Sequence, residues 1–297
     1  REWRRDLPEG VTRRAAHGSA DGEGPGAGSG VLRTMEPLGR AFVSFLHQIA
    51  IGGMVALLLI HYRAISRQFF RICGLIVLLI EGLALWRSGG QEGIAGWSTA
   101  AFIILLSAFT LAWFIPGSPG AGVLHGAVIV AGVALLVADV LQYPIAGAGS
   151  LGIAIGTANA VTSALLLGTA LIGLLLGHRY LNEPQLPVAL IRRLSNVFCV
   201  VLLIQGALPA LFTVLVYAFG QSDVTGEWVR LLGEHWILVF GRMLVGIGAS
   251  LAVALVILNC LRLPNVQAAT GFYYIAVLTV FLGEFLFGFV LHRVQFL

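Results

Sequence analysis

Charge is what this sequence has least of. Only 11% of its 297 residues are charged, where a soluble domain carries roughly a quarter, so a water-borne globular fold is excluded. Lysine is absent altogether, and all 18 basic residues are arginine. These arginines stand between long apolar runs, which fits a GC-rich genome better than nucleic-acid binding, and no nucleic-acid partner is expected. Cysteine is scarce too. Cys73, Cys199 and Cys260 form no CxxC pair and no metal-ligand spacing, so no disulfide and no metal centre is expected, and each reads as a small core residue. Also missing are a P-loop, an HExxH, a CxxCH and a Gly-Xaa-Ser-Xaa-Gly elbow on a soluble segment. No stretch between apolar runs is long enough to fold as a catalytic domain, so any chemistry must take place between helices.

What abounds is hydrocarbon: 58% of residues are hydrophobic and the mean hydropathy is +0.92. A membrane-crossing helix needs about 20 largely apolar residues. Runs of that kind recur at 38–60, 69–87, 96–115, 122–143, 149–177, 194–219, 236–261 and 270–291. Turn chemistry separates them: Ser88-Gly89-Gly90, Pro116 to Gly120, Pro144 to Gly149, Pro184 with Pro187, and Pro264. Strands are excluded by run length and by the Leu, Ala and Gly content, without the alternation of an outer-membrane barrel. The expected fold is all-α, a polytopic integral membrane bundle of about eight transmembrane helices in contact with a lipid bilayer.

Residues 1–34 differ from the rest, with six arginines, five acids and a Gly-rich stretch from Gly22 to Gly30. Such a composition buries no core and is expected to be disordered; Met35, just before the first run, is a candidate native start. Arginine placement sets the orientation, because cytoplasmic links are arginine-rich. Arg63, Arg67 and Arg71 lie in the first link, Arg179, Arg192 and Arg193 in the fifth, and Arg262 in the seventh. These odd-numbered links share one side, which places both termini outside a bacterial cytoplasmic membrane.

The two halves resemble each other. Leu57 to His61, with Tyr62 and Arg63 following, ends the first run; Leu174 to His178, with Arg179 and Tyr180, ends the fifth. Val77-Leu78-Leu79-Ile80-Glu81-Gly82 of the second run matches Val201-Leu202-Leu203-Ile204-Gln205-Gly206 of the sixth, and Asp139 and Glu284 stand near the ends of the fourth and eighth. Four spans per half is an even number, so the repeats are expected to be parallel. The first four-helix half falls within 35–182, whose last part already opens the second repeat, and the second half occupies 149–297.

An ionisable group in hydrocarbon costs about 2.5–3.5 kcal/mol on insertion scales, so each one calls for an explanation. Counted at 1.5 Å per residue, His47, Glu81, Arg242 and Glu284 lie about 10 Å from the outer ends of their helices, and Asp139 about 6 Å. Five ionisable residues from five helices thus share one layer. A lone carboxyl in such a place keeps its proton, whereas Arg242 stays charged and is expected to pair with one acid, leaving the other acids and His47 to exchange protons. The alternative is a buried ion pair that only ties helices together.

A further pair, His61 and His178, sits at the inner ends of their runs. Opposed imidazoles there would suit a b-type haem, with Arg63 and Arg179 near its propionates and His125 as a substitute ligand; solvated interfacial histidines are the plain alternative. His235 and His292 read as interfacial. In the fifth run Thr157, Asn159, Thr162, Ser163 and Thr169, with Gly152 and Gly156, form first a close-packing face and second a ligand lining. Pro209 is expected to kink the sixth span.

The segment Phe45-Leu46-His47-Gln48-Ile49-Ala50-Ile51-Gly52-Gly53 and the segment Leu282-Gly283-Glu284-Phe285-Leu286-Phe287-Gly288, in an eight-span architecture of two halves, resemble the membrane anchors of polysulfide and dimethyl sulfoxide reductases. The resemblance implies a quinone site near the outer face, with His47, Glu81, Arg242 and Glu284 at the matching positions, and partner subunits that take the electrons. The leading expectation is a quinone-reactive subunit of a respiratory-type complex in which His47, Glu81 and Glu284 handle protons while Arg242 and Asp139 help to hold the quinone. A proton-coupled transporter, a b-haem electron carrier with His61 and His178 as ligands, and a purely structural anchor are the other classes. Whether the chain is itself an enzyme stays open at this point.

Overall fold

In the computed structural model of the chain, residues 27–294 are described apart from 63, 90–92, 116–119, 143–148 and 220–221. Arg63, most of the expected tail and parts of four further links therefore lie outside the described residues. The chain divides into two units, residues 1–36 and 37–297. In the first, residues from Ala27 onward are helical, inside the stretch whose composition predicts disorder. Among the described residues all regular structure is helical, and eight helices are long and apolar enough to cross a membrane. They are α1 (Ala27–Leu57), α2 (Arg67–Ser88), α3 (Gly93–Ala112), α4 (Ala121–Gln142), α5 (Gly149–Asn182), α6 (Ala189–Phe219), a seventh span from Trp236 to Arg262, and α10 (Val266–Val294).

These spans are apolar on every side, so burying one face leaves others bare. Leu79, Trp86, Ile104, Val130 and Leu278 are among many large apolar side chains left exposed, a surface that only lipid tolerates. Two helices depart from this rule. α1 and α5, the first spans of the two halves, are the most enclosed. They cross where a Cβ on Gly52 would overlap the Ala164 carbonyl and one on Gly168 would overlap the Gly52 backbone. Only paired glycines permit so close an approach.

α1 also meets the other helices that matter here. Phe45 packs edge-on against Phe281 and Phe285 of α10 at 5.5 and 5.7 Å between centroids. Ile51 fills the space over Gly132 of α4, and Val77 of α2 lies beside Gly53. The apolar core runs through all of these contacts.

Three features depart from the expected spans. The seventh span is interrupted: α8 (Trp236–Gly241) passes into a π-helical segment, Arg242–Ala249, before α9 (Ser250–Arg262) resumes the ordinary pitch. The π-segment contains Gly246, whose added Cβ would stand 2.7 Å from the Gly283 Cα of α10, so its wider turn is laid directly on a second helix. Secondly, the sixth link holds an amphipathic helix, α7 (Ser222–Glu234), whose Trp228 is buried with Phe212 and Val216 of α6 and Ile155 of α5. Its indole donates to Thr213 Oγ1 at 3.2 Å. Thirdly, the fifth link shrinks because α5 runs on to Asn182 and α6 begins at Ala189, shortly after Pro187. Proline is at home just ahead of a helix start, and Arg192 caps the Leu261 carbonyl of α9 at 2.7 Å. Pro209 is accommodated inside α6; it has no N–H to offer the Gln205 carbonyl one turn earlier.

Successive spans alternate in direction, so the beginnings of α1, α3, α5 and α8 share one end of the bundle with the finish of α10. We call this the near end. At the far end an aromatic cluster closes the first half. Tyr62 bonds His125 Nδ1, the His125 Nε2 lies 2.8 Å from the Met54 carbonyl, and Phe70 stacks on Trp113 at 4.6 Å.

Candidate functional site

The polar residues of the membrane interior build a site from the near half of the bundle. In the first half, α1 presents His47 to Glu81 of α2. Their Nδ1 and Oε1 atoms are 2.8 Å apart, and the side chains are 2% and 0% exposed. The contact lacks hydrogen-bond alignment and is an ion pair only when His47 carries a second proton, and His47 Nε2 and Glu81 Oε2 have no protein partner. In the second half, α5 presents Ser163 to Gln205 of α6, with Nε2 donating to Oγ at 2.8 Å. His47 stands five residues before Gly52, and Ser163 five before Gly168, the two glycines of the α1–α5 crossing. Both halves thus tie their first and second helices together at one level, once with ionisable residues and once with neutral ones.

Around Glu284 the second half adds a denser network. The backbone contact between Gly246 and Gly283 brings the π-segment and α10 together, so that Arg242 Nη2 donates to Glu284 Oε1 at 3.2 Å. The guanidinium carbon lies 3.5 Å from the centre of the Phe287 ring, a cation–π contact sheltered from lipid. Glu284 Oε2 accepts from Ser163 Oγ at 2.5 Å and lies 3.2 Å from Gln205 Nε2, which also reaches Asn159 Oδ1 at 3.2 Å. Arg242 is 1% exposed, yet its Nε and Nη1 have no protein partner. A buried pair of this kind contributes little net stability, but losing one member strands the other.

Asp139 completes the layer. Ser44 of α1 donates to its Oδ2 at 2.6 Å, as Ser163 of α5 does to Glu284. The first helix of each half therefore bonds the carboxyl of that half's fourth span. Both carboxyls face one cavity of about 60 Å³ near the near end, lined also by Gln48, Asn159, His292 and, on its apolar side, Phe45 and Phe287. That space takes a few water molecules.

The expected layer is thus divided. Asp139 and Glu284 share the cavity, and Arg242 reaches it through Glu284. His47 and Glu81 belong to the same level but do not line the cavity; Ser44 and Gln48 on either side of His47 do. His61 and His178 are both exposed at the far end, His61 in the link after α1 and His178 within α5. His125 at that end is buried, with both ring nitrogens engaged. His292 is buried and lines the cavity, where an interfacial position had been expected. Among the described residues no group of three or more His, Cys, Asp or Glu is placed to hold a metal ion.

Ser163 and Asn159 sit on the packed face foreseen for the fifth span and also line the cavity. Gln205 carried a signal as the counterpart of Glu81, but nothing in its sequence context pointed to Glu284. The arrangement as a whole offers two carboxyls, several neutral donors and a paired arginine around a water-sized space inside a membrane bundle. In comparisons with known proteins, no family model and no curated protein matches the chain.

Proposed function

We propose that the chain is a quinone-reactive subunit of a membrane electron-transfer complex, and that the quinone headgroup binds in the cavity between α1, α4, α5 and α10. The supporting observation is that Asp139 and Glu284, from the fourth and eighth spans, line a single space that Phe45 and Phe287 line as well. A quinone headgroup needs that combination: a flat apolar surface against its ring, donors to its carbonyls, and a base for the proton released on quinol oxidation. Asn159 and His292 are the donors, and Asp139, which accepts from Ser44, is the base on the cavity wall. Arg242 holds Glu284 in place as an oriented charge. A cavity of about 60 Å³ is smaller than such a ring, so admission of the headgroup turns Phe45 or Phe287 aside. The electrons leave to a partner subunit.

Binding of a short-tailed quinone analogue to the purified chain, followed by calorimetry or tryptophan quenching, tests this. Asn159→Ala removes a donor and is expected to weaken binding about tenfold, the equivalent of roughly 1.4 kcal/mol. Ser195→Ala, beyond the cavity, leaves binding unchanged. Failure of the wild-type chain to bind, or equal binding by all variants, defeats the reading.

A second reading is favoured by one feature, the interruption of the seventh span beside Arg242. Broken spans around a buried charged site are a mark of secondary transporters. Solute uptake into proteoliposomes that follows an imposed proton gradient would select it.

A further inference from the structure

We infer that His47 and Glu81 form a proton store set behind the cavity wall, loaded through Ser44 and Asp139. The inference rests on the cavity being a site of proton exchange but not on the ligand being a quinone.

The matching ties in the two sets of four spans supply the argument. α1 and α2 are tied by His47 and Glu81, and α5 and α6 by Ser163 and Gln205, each pair at 2.8 Å and each five residues ahead of the glycine at which the two first helices cross. The neutral pair ties its two helices by a hydrogen bond without any ionisable group. An ionisable residue inside the bilayer is costly, so holding two helices together does not account for histidine and glutamate in the first half.

The chemistry of the pair suits storage. Buried as they are, the imidazole and carboxyl are least costly when they carry no net charge and hold one proton between them. Uptake of one more gives imidazolium beside carboxylic acid; the proton comes from the cavity and returns there, and no electron moves. Nε2 of His47 and Oε2 of Glu81 are without protein partners, which leaves a site for the second proton on either residue. The route is short. Ser44 lies three residues before His47 on the same face of α1, about one turn or 5 Å away, and it already donates to Asp139 on the cavity wall. Glu81 and, further off, Asp139 are the charged groups that bear on His47. Arg40 on α1 and Arg87, beside Gly39, stand toward the near end, while Glu284 of α10 is occupied by Arg242.

The decisive variant rewrites the first half in the image of the second: His47→Ser with Glu81→Gln. Infrared difference spectra of the full purified chain between acid and neutral pH, in light and heavy water, report imidazole and carboxyl protonation directly. The expected result is a folded double variant, shown by an unchanged elution volume and melting temperature, in which one imidazole's share and one carboxyl's share of the wild-type difference bands are lost together, while the share of exposed histidines such as His61 and His178 remains; Ser195→Ala keeps the bands whole. Asp139→Asn is expected to keep the bands but to slow their rise after a pH jump by at least tenfold. A folded double variant with the wild-type bands overturns the inference, and so does a double variant that cannot fold, because the pair is then a structural tie. The spectra need no quinone. Bands that behave as expected in a chain that binds no quinone defeat the proposed function alone, and the converse defeats only the proton store.

Discussion

Replacing Gly52 by alanine adds a single methyl group at the centre of the bundle, and its cost follows from the geometry. The new Cβ would overlap the Ala164 carbonyl of α5. Overpacking in a core typically costs 1–3 kcal/mol when side chains can turn away. Here the obstacle is backbone, so α1 and α5 must separate along their crossing, and the upper part of that range, about 3 kcal/mol, applies. Alanine returns about 1 kcal/mol of helix propensity, which leaves a net loss of roughly 2 kcal/mol. Gly271 of α10 provides the control, since a Cβ there meets nothing within 4 Å; Gly271→Ala is expected to be neutral or to gain up to about 1 kcal/mol. Thermal unfolding in detergent by scanning fluorimetry reads the difference. At about 2–4 °C per kcal/mol, the two variants should melt roughly 4–12 °C apart. Gly168→Ala should behave like Gly52→Ala, and the double variant should cost less than the sum, because both relieve their strain by the same separation. Melting of Gly52→Ala within a degree of Gly271→Ala would show that the helices do not meet as described.

Two further outcomes follow from polar contacts. Glu284→Ala strands the Arg242 guanidinium in the membrane interior and should cost about 3–5 kcal/mol, whereas Arg242→Leu with Glu284→Leu should cost less than that single change; equal losses would mean that the pair is not buried as a unit. At the far end, burial pushes the Tyr62 phenol above its ordinary range. The folded chain then keeps this proton to higher pH than the unfolded chain, so the contribution to stability is intact below the unfolded value, near pH 10, and is lost as pH rises through the folded one. Absorbance titration of Tyr62→Phe should therefore lack one late-ionising phenol; loss of an early one contradicts the burial.

Span number and the level of the ionisable residues were legible in the sequence because both depend on position along a helix. A fixed rise per residue turns counting into depth, and so His47, Glu81, Asp139, Arg242 and Glu284 fall in one layer. Which of them meet depends on rotation about the helix axis, and there the sequence offers little. A helix that is apolar all round shows no periodic contrast between its faces, so nothing in α2 or α4 indicates that Glu81 turns to His47 while Asp139 turns to Ser44. The small-residue face of α5 did point to close packing, but Ser163 and Asn159 became a lining only through the neighbours that Gly52 and Gly168 bring near. The π-segment was out of reach for a related reason. After Arg242 the segment to Ala249 is an ordinary apolar run in composition, and the contact it makes, between Gly246 and Gly283, joins residues of different spans. The seventh span could be counted without its interruption being visible.

The position of α1 bears on how such a chain is made. It is the least apolar of the eight spans and the most enclosed, yet it leaves the ribosome ahead of every helix that will shield it. Its earliest relief is α2, whose Glu81 can neutralise His47 while most of the protein is still unsynthesised; its closest neighbour, α5, follows only after the whole first half. Biosynthesis must therefore hold a half-satisfied hairpin at the insertion machinery, and a lesion at Glu81 would be felt first as slow or failed membrane entry of the segment before it.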